Sequence, residues 1–495
     1  MGLRLAFAFP CLRAYLGINR QEHGLVITRI AEGITREIER TGDRVNGMFE
    51  PVVRLGVTGL SRAGKTVFIT SLVANLLDRG RMSQLIGASD GRILAAWLQP
   101  HPDDTVPRFD YENRLAALTG ADPHWPEGTA SVSKLRLSFR IQPGGILGRM
   151  SGPKTLHLDI MDYPGEWLTD LTLLEQSYGD WSAQTLAMME QRDQGDEFLA
   201  RATALGGAEK FEELQAKELA TLYTQHLFDA RAAGYSLCTP GRFLMPGDLA
   251  GAPALSFAPL PAVDGRRPAR KSLWREMERR FEAYKSQVAK PFFQTHFSGV
   301  DRQIVLVDAL GAIHQGPAAV DDMREAMAGI LKVFKPGGNG LLSWIWGSRR
   351  VEKILFAATR VDLLHHSQHP RLTAIMEALV RDARDRADFA GAQTEALSIA
   401  ALRTTVEETH RQNGADLDCV RGLRAPGQEA LFYAGDLPAD PQILLAQSRD
   451  QNRKWLAHEF DAMQFLPAPD AMRPGSGPPH IRLDKAAQFL LGDRL

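Results

Sequence analysis

The chain is short of the features that fix a protein's class by composition. It has three cysteines in 495 residues, Cys11, Cys238 and Cys419, too widely spaced for a disulfide framework or a metal-binding knuckle, so they read as packing residues in a reducing compartment. Charge of one sign is lacking as well: 58 Lys and Arg stand against 59 Asp and Glu, a formal charge of −1. This excludes a global electrostatic drive toward nucleic acid and leaves any basic surface to local clusters. No run approaches the roughly 18 apolar residues of a membrane span, and the apolar start from Leu3 to Pro10 is short and has no convincing cleavage site. No transmembrane segment and no nucleic-acid partner are expected, and the chain reads as soluble and cytoplasmic. There is no internal repeat and no Ser/His/Asp set. His365, His366 and His369 read as a polar helix start rather than a metal site.

What the chain does have is a full G-x-x-x-x-G-K-[ST] phosphate loop from Gly59 to Thr66. Val52, Val53, Leu55 and Val57 before it read as a β-branched strand, and Val67 to Leu77 after it has the apolar spacing of a helix. In that order the backbone N–H groups of Ser61, Arg62, Ala63, Gly64, Lys65, Thr66 and Val67 can curl around a β-phosphate at a helix N-terminus. Lys65 adds a point charge on the β and γ oxygens, and the Thr66 hydroxyl can ligate Mg²⁺. The implied ligand is a nucleoside triphosphate.

A strand pattern from Thr155 to Asp162 runs into Asp162-Tyr163-Pro164-Gly165, a D-x-x-G motif. In nucleotide switches such an aspartate holds the Mg²⁺ water shell and the glycine N–H meets the γ-phosphate. A second D-x-x-G, Asp308 to Gly311, follows another apolar strand, and Asp162 is favoured because its strand is the first after the phosphate loop. Thr129 is the candidate switch residue for Mg²⁺ and the γ-phosphate. Glu166 stands where small switches carry a water-orienting glutamine, and its charge there predicts slow hydrolysis unless an arginine offsets it. Such an arginine could come from a helical insertion, but the sequence does not name it. The run Ile354 to Ala358 leads into Thr359-Arg360-Val361-Asp362, close to the guanine-reading [NT]-K-x-D pattern, with Ala400 as the amide expected at guanine O6. An ATP-dependent enzyme of kinase type, or a nucleotide-binding scaffold without useful turnover, is the alternative reading.

Four segments resemble one family. They are Gly56-Val57-Thr58-Gly59-Leu60-Ser61-Arg62-Ala63-Gly64-Lys65-Thr66, Trp125-Pro126-Glu127-Gly128-Thr129, Asp162-Tyr163-Pro164-Gly165-Glu166-Trp167 and Pro479-His480-Ile481-Arg482-Leu483-Asp484. Together they are similar to the YcjX-type family of bacterial P-loop GTPases linked to envelope stress. The resemblance covers most of the chain and implies GTP/GDP and Mg²⁺ as ligands, GTPase activity as a stress-response switch, and an unidentified protein partner. A membrane-associated stress protein is one candidate, which extends the location to the periphery of the inner membrane. The family pattern at the base site is A-T-K-x-D, so Arg360 departs from it.

The expected fold is α/β: a Ras-like P-loop NTPase core with a largely parallel sheet and a mostly helical insertion subdomain. The expected division is an N-terminal helical segment (1–50), the first part of the core (51–165), the helical insertion (166–300), the second part of the core (301–466), and a linker with a short helix (467–495). Within the insertion, Glu209 to Leu222 and Leu273 to Tyr284 read as amphipathic helices, and Pro240 to Pro268 as a loop. Gly80 to Gly128, with its five prolines between Pro100 and Pro126, reads as a second insertion. The basic cluster Gly265 to Lys271 reads as a solvated loop, and the aromatic run Leu341 to Trp346 as loop packing.

Overall fold

The computed structural model describes residues 50–495 apart from 61, 130, 146–151, 193–194, 263–267, 297–298, 332–350, 390, 413, 443, 445–460, 470–471 and 473–474. The expected N-terminal helical segment, Ser61, the aromatic run before Arg350 and the arginines of the basic loop at 266 and 267 therefore lie outside the described residues.

The β-branched stretch before the phosphate loop forms strand β1 (Val52–Gly59), and the loop delivers helix α1 (Lys65–Leu77). Strand β2 (Ile93–Gln99), helix α2 (Tyr111–Thr119), and strands β3 (Ser133–Ile141) and β4 (Lys154–Asp162) follow. The chain then runs through helices α3 (Tyr178–Glu190), α4 (Asp196–Leu205), α5 (Glu213–Ala232), α6 (Leu273–Tyr284) and α7 (Lys290–His296) before β5 (Arg302–Val307). Helices α8 (Ala309–Gln315) and α9 (Pro317–Leu331), strand β6 (Lys353–Ala358), helix α10 (His369–Phe389) and strand β7 (Gln393–Ser398) complete the sheet region. A small sheet of β8 (Thr405–Gln412), β9 (Ala415–Ala425) and β10 (Gln428–Phe432) precedes the last helix, α11 (Leu483–Leu491).

The main sheet has the order β2-β3-β4-β1-β5-β6-β7. Strands β1, β5, β6 and β7 are parallel, whereas β2, β3 and β4 form an antiparallel meander on the other side. The parallel strands are buried on both faces, which is why Ile304 to Val307 and Ile354 to Ala358 read as unbroken apolar runs. Alternation sends Ile304, Leu306, Leu355 and Ala357 to the face covered by α1 and α11. Val305, Val307, Phe356 and Ala358 go to the face covered by the helical segment. The apolar core is continuous from that segment into the sheet, so the two share one interior.

One expected boundary is corrected, that of the helix read from Glu209. The proline-rich stretch from Gly80 to Gly128 contains edge strand β2 and helix α2. Its strand was hard to read because the edge leaves Leu94 and Trp97 exposed and blurs the alternation. The helix expected from Glu209 to Leu222 instead runs from Glu213 to Ala232, burying Ala216, Leu219, Tyr223, Leu227 and Ala230 on one face. Helix α6 spans the expected residues, with Ser272 Oγ accepting from the Arg275 N–H and Met277, Phe281 and Tyr284 turned inward.

Candidate functional site

Strand order reverses direction at β1, which has β4 on one side and β5 on the other, and this places a crevice at its carboxyl end. The phosphate loop lies there. Gly64, the N-cap of α1, turns into the left-handed region at φ 80° and has no side chain with which to cap the helix. The first intrahelical bond is from Phe68 N to Gly64 O at 2.8 Å, so the amides of Lys65, Thr66 and Val67 lie in the first turn, where an anion is their natural partner. Arg62, also at positive φ, is exposed, and Ala63 is buried. Lys65 is folded back on the loop, donating to Gly59 O at 3.1 Å. Burial lowers its pKa, while the charges of Glu166 and Asp162 raise it.

The three residues expected around Mg²⁺ meet. Thr66 Oγ1 lies 3.3 Å from Thr129 Oγ1, and the Thr129 hydroxyl donates to Asp162 Oδ2 at 2.6 Å. Asp162 is buried, and among the described residues its Oδ1 has no hydrogen-bond partner. Burial pushes its carboxyl up to about 6, opposed by the Thr129 hydroxyl and by the charges of Lys65 and Arg114. An orphaned, buried carboxylate oxygen beside two hydroxyls is a hard-oxygen set that fits Mg²⁺. Gly165 closes the ring: a Cβ at this position would come within 2.6 Å of Lys65 Nζ. By contrast, Asp308 of the second D-x-x-G caps α8, its Oδ1 accepting from the Gly311 N–H at 2.9 Å.

The base half is more occupied by the chain itself. Asp362 is buried, and its Oδ2 accepts from Thr404 N at 2.9 Å and Thr404 Oγ1 at 2.7 Å. Arg360 donates to Asp308 Oδ2 at 3.0 Å. Thr359 donates through its hydroxyl to Val307 O at 3.3 Å. The Ala400 amide, expected at guanine O6, instead donates to Ile481 O at 3.1 Å, because the C-terminal segment bridges to this loop.

Arg231, Arg114 and Asp170 have no signature in the sequence. Arg231, in the last turn of α5, lies 3.1 Å from Glu166 Oε1. Arg114 of α2 donates to Glu127 O at 2.8 Å and so holds the segment leading to Thr129. Asp170 accepts from the Gly241 N–H at 2.7 Å and from the Tyr284 hydroxyl. His365, His366 and Glu407 bring three potential ligand atoms within 4.8 Å of one another. His366 Nδ1 is 2.7 Å from Glu407 and His365 Nδ1 is 3.2 Å from Asp418. These pairs tie the loop after β6 to the small sheet.

An uncapped phosphate loop at the switch point, a Thr–Thr–Asp cluster beside it and a D-x-x-G glycine against its lysine define a P-loop nucleotide-binding protein with a Ras-like core. The model of the YcjX-like family, DUF463, matches residues 53–495, and the chain belongs to that family. A Ras-like GTPase YcjX of Shewanella oneidensis (strain MR-1) is 33% identical over 485 residues, covering 92% of this chain and 96% of the relative. A Ras-like GTPase YcjX of Escherichia coli (strain K12) is 35% identical over 467 residues, covering 91% and 97%.

Proposed function

We propose that the chain binds a guanine nucleoside triphosphate at Gly59 to Thr66 and hydrolyses its β–γ anhydride, acting as a nucleotide-dependent switch. The observation that carries this is the convergence of Thr66, Thr129 and Asp162 beside Lys65 and Gly165. The Ras-like GTPase names of the two relatives support the same activity. In this reading the first amides of α1 and Lys65 hold the phosphates, and the Gly165 N–H senses the γ-phosphate. Glu166 faces the attacking water, and Thr66, Thr129 and Asp162 would hold Mg²⁺, which when bound neutralises charge on the β and γ oxygens. Residues 166–300 act as a helical insertion in a core made of 51–165 and 301–466. Among the described residues no helix is long and apolar enough to cross a membrane. The family resemblance carries the reading of a cytoplasmic stress-response switch, peripheral at the inner membrane, with a membrane-associated protein partner.

The engagement of Arg360 by Asp308 and of the Ala400 amide by Ile481 favours a second reading, a triphosphate binder with loose base selection. Calorimetry with GTP, GDP and ATP, with and without Mg²⁺, separates the two. Strict guanine recognition predicts GTP at least 100-fold tighter than ATP, about 2.7 kcal/mol. Equal affinity, or a preference for ATP, replaces the first reading by the second.

A further inference from the structure

The loop after β6 meets the small sheet in a cluster that the phosphate chemistry does not use. His365 and His366 follow the 3-10 turn Val361–Leu363 that carries Asp362, while Glu407 and Asp418 come from the paired strands β8 and β9. The two imidazole rings lie 4.2 Å apart between centroids. His366 Nδ1 is 2.7 Å from Glu407 Oε2, and His365 Nε2 is 3.8 Å from the same oxygen. On the other side of the ring, His365 Nδ1 is 3.2 Å from Asp418 Oδ2, which also accepts from the Ser367 hydroxyl at 3.0 Å. His369 takes no part, since its Nε2 meets Leu364 O at 3.1 Å and its Nδ1 meets Arg482 at 2.8 Å. In a neutral imidazole one nitrogen carries the proton and the other a lone pair. A proton on His365 Nδ1 faces Asp418 and leaves the Nε2 lone pair turned toward the Glu407 carboxylate, too far for a hydrogen bond and with electron density on both sides. A divalent cation between them converts that opposition into two bonds. Ligands about 2.0–2.1 Å from a tetrahedral Zn²⁺ lie about 3.4 Å from one another. The spacings of 2.7 and 3.8 Å bracket that value, and the His366 side chain, 68% exposed, is free to turn by the small amount required.

We propose that His365, His366 and Glu407 bind a transition-metal ion of the Zn²⁺ class, with Asp418 holding the His365 ring and a fourth position left to water. Two imidazoles and one carboxylate suit such an ion better than Mg²⁺ or Ca²⁺, which take oxygen ligands. A carboxylate behind a ligating histidine fixes its tautomer and orientation, and Asp418 stands where that carboxylate is needed. Arg403 approaches the other Glu407 oxygen, Oε1, at 3.9 Å and leaves Oε2 to the histidines. The ion is a clip. It joins β8 to the loop after β6, where Thr404 already holds Asp362 Oδ2 and the Thr405 hydroxyl donates to the Asp362 carbonyl. It therefore stiffens the base half of the crevice from behind, whichever nucleotide the phosphate loop holds, and it is separate from the Mg²⁺ position at Thr66, Thr129 and Asp162.

The test uses the full chain without an affinity tag, stripped of metal by a chelator and titrated with Zn²⁺ by calorimetry in the presence of Mg²⁺. The wild-type chain should take up one Zn²⁺ at this site. His366→Ala and Glu407→Gln should each weaken that binding about 100-fold or more by removing a ligand. Asp418→Asn, which keeps the shape but loses the charge behind His365, should weaken it roughly 10–100-fold. His410→Ala, at an exposed histidine further along β8, should leave it within about threefold of wild type. Co²⁺ in place of Zn²⁺ should give the intense visible bands of a four-coordinate ion in the wild-type chain and lose them in Glu407→Gln. Zn²⁺ should also raise the melting temperature of the wild-type chain and not that of Glu407→Gln. If Glu407→Gln fails to fold, His366→Ala, which changes the most exposed of the three ligands, decides the matter alone. Wild-type Zn²⁺ affinity no greater than that of these ligand variants overturns the proposal, as does the weak spectrum of six-coordinate Co²⁺ or an equal loss in His410→Ala. The four side chains are then an ion-paired cluster held by protons.

Discussion

Lys65 does two jobs that a surface lysine would not. Its ammonium is buried, bonded to Gly59 O and Leu60 O, and it stands between the charges of Asp162 and Glu166. In the proposed reading, replacing it by alanine removes a charge-assisted phosphate contact and also a desolvated cation whose burial opposed its charging. Lys65→Ala should therefore weaken GTP binding by two orders of magnitude or more, about 2.7 kcal/mol, while the melting temperature stays within a few degrees. Unchanged affinity by calorimetry removes the phosphate-loop assignment. At the base end, Thr404 holds Asp362 Oδ2 from two directions, which orients the carboxylate without consuming its other oxygen. If that oxygen reads guanine, Asp362→Asn should lower affinity for GTP and raise it for xanthosine triphosphate. Equal losses for both nucleotides make Asp362 a purely structural link to Thr404.

The elements on either side of Glu166 are joined backbone to backbone. Because a Cβ on Gly241 would land on the Glu166 carbonyl and crowd the Trp167 amide, Gly241→Ala must push the 3-10 run Gly165–Glu175 away from the helical turn Gly241–Leu244. The expected cost is about 2–4 kcal/mol, with a fall in hydrolysis rate larger than the fall in GTP affinity; wild-type behaviour on both counts would show that the contact yields without consequence. Such contacts explain what could and could not be read from the residues in order. The phosphate loop, Asp162 and α6 were legible because each is a local pattern: glycine spacing, a strand ending on D-x-x-G, an apolar stripe after Ser272. Arg231 was not, since a single arginine at a helix end acquires meaning only when α5 packs beside a carboxylate 65 positions earlier in the chain. Strand β2 was hidden by its exposed edge. The bond from the Ala400 amide to Ile481 was not legible because Ile481 belongs to a segment that returns from the far end of the sequence.

For the molecule as a whole, burial of acid groups sets a pH dependence. Asp170 is fully enclosed, its carboxyl pushed up to about 6 by burial against the Tyr284 hydroxyl, the Gly241 amide and the Arg242 guanidinium. An unfolded aspartate titrates near 3.9, so the folded chain holds this proton more tightly. The stability that the proton provides is complete below about pH 4 and lost as pH rises through about 6, roughly 3 kcal/mol in all. Asp170→Asn keeps an acceptor for the Gly241 N–H and turns an N–H toward the Tyr284 oxygen, as a protonated carboxyl would, without a proton to lose. Its urea-unfolding free energy should fall less than that of wild type between pH 4 and 7, and parallel curves would show that Asp170 does not titrate there. The sheet order has a further consequence, for the time course of folding. Strand β1 pairs with β5, and the Arg54 amide bonds Asp301 across 247 positions of sequence. On a ribosome adding about 5–20 residues per second, the strand that carries the phosphate loop waits ten seconds or more for its central neighbour. Meanwhile the aromatic cluster of Trp181, Tyr223, Phe257 and Phe281 has already emerged and can collapse. The helical segment is then the template on which the nucleotide site is assembled, and substitutions such as Trp181→Ala should slow the appearance of GTP-binding protein during synthesis more than they weaken the finished site.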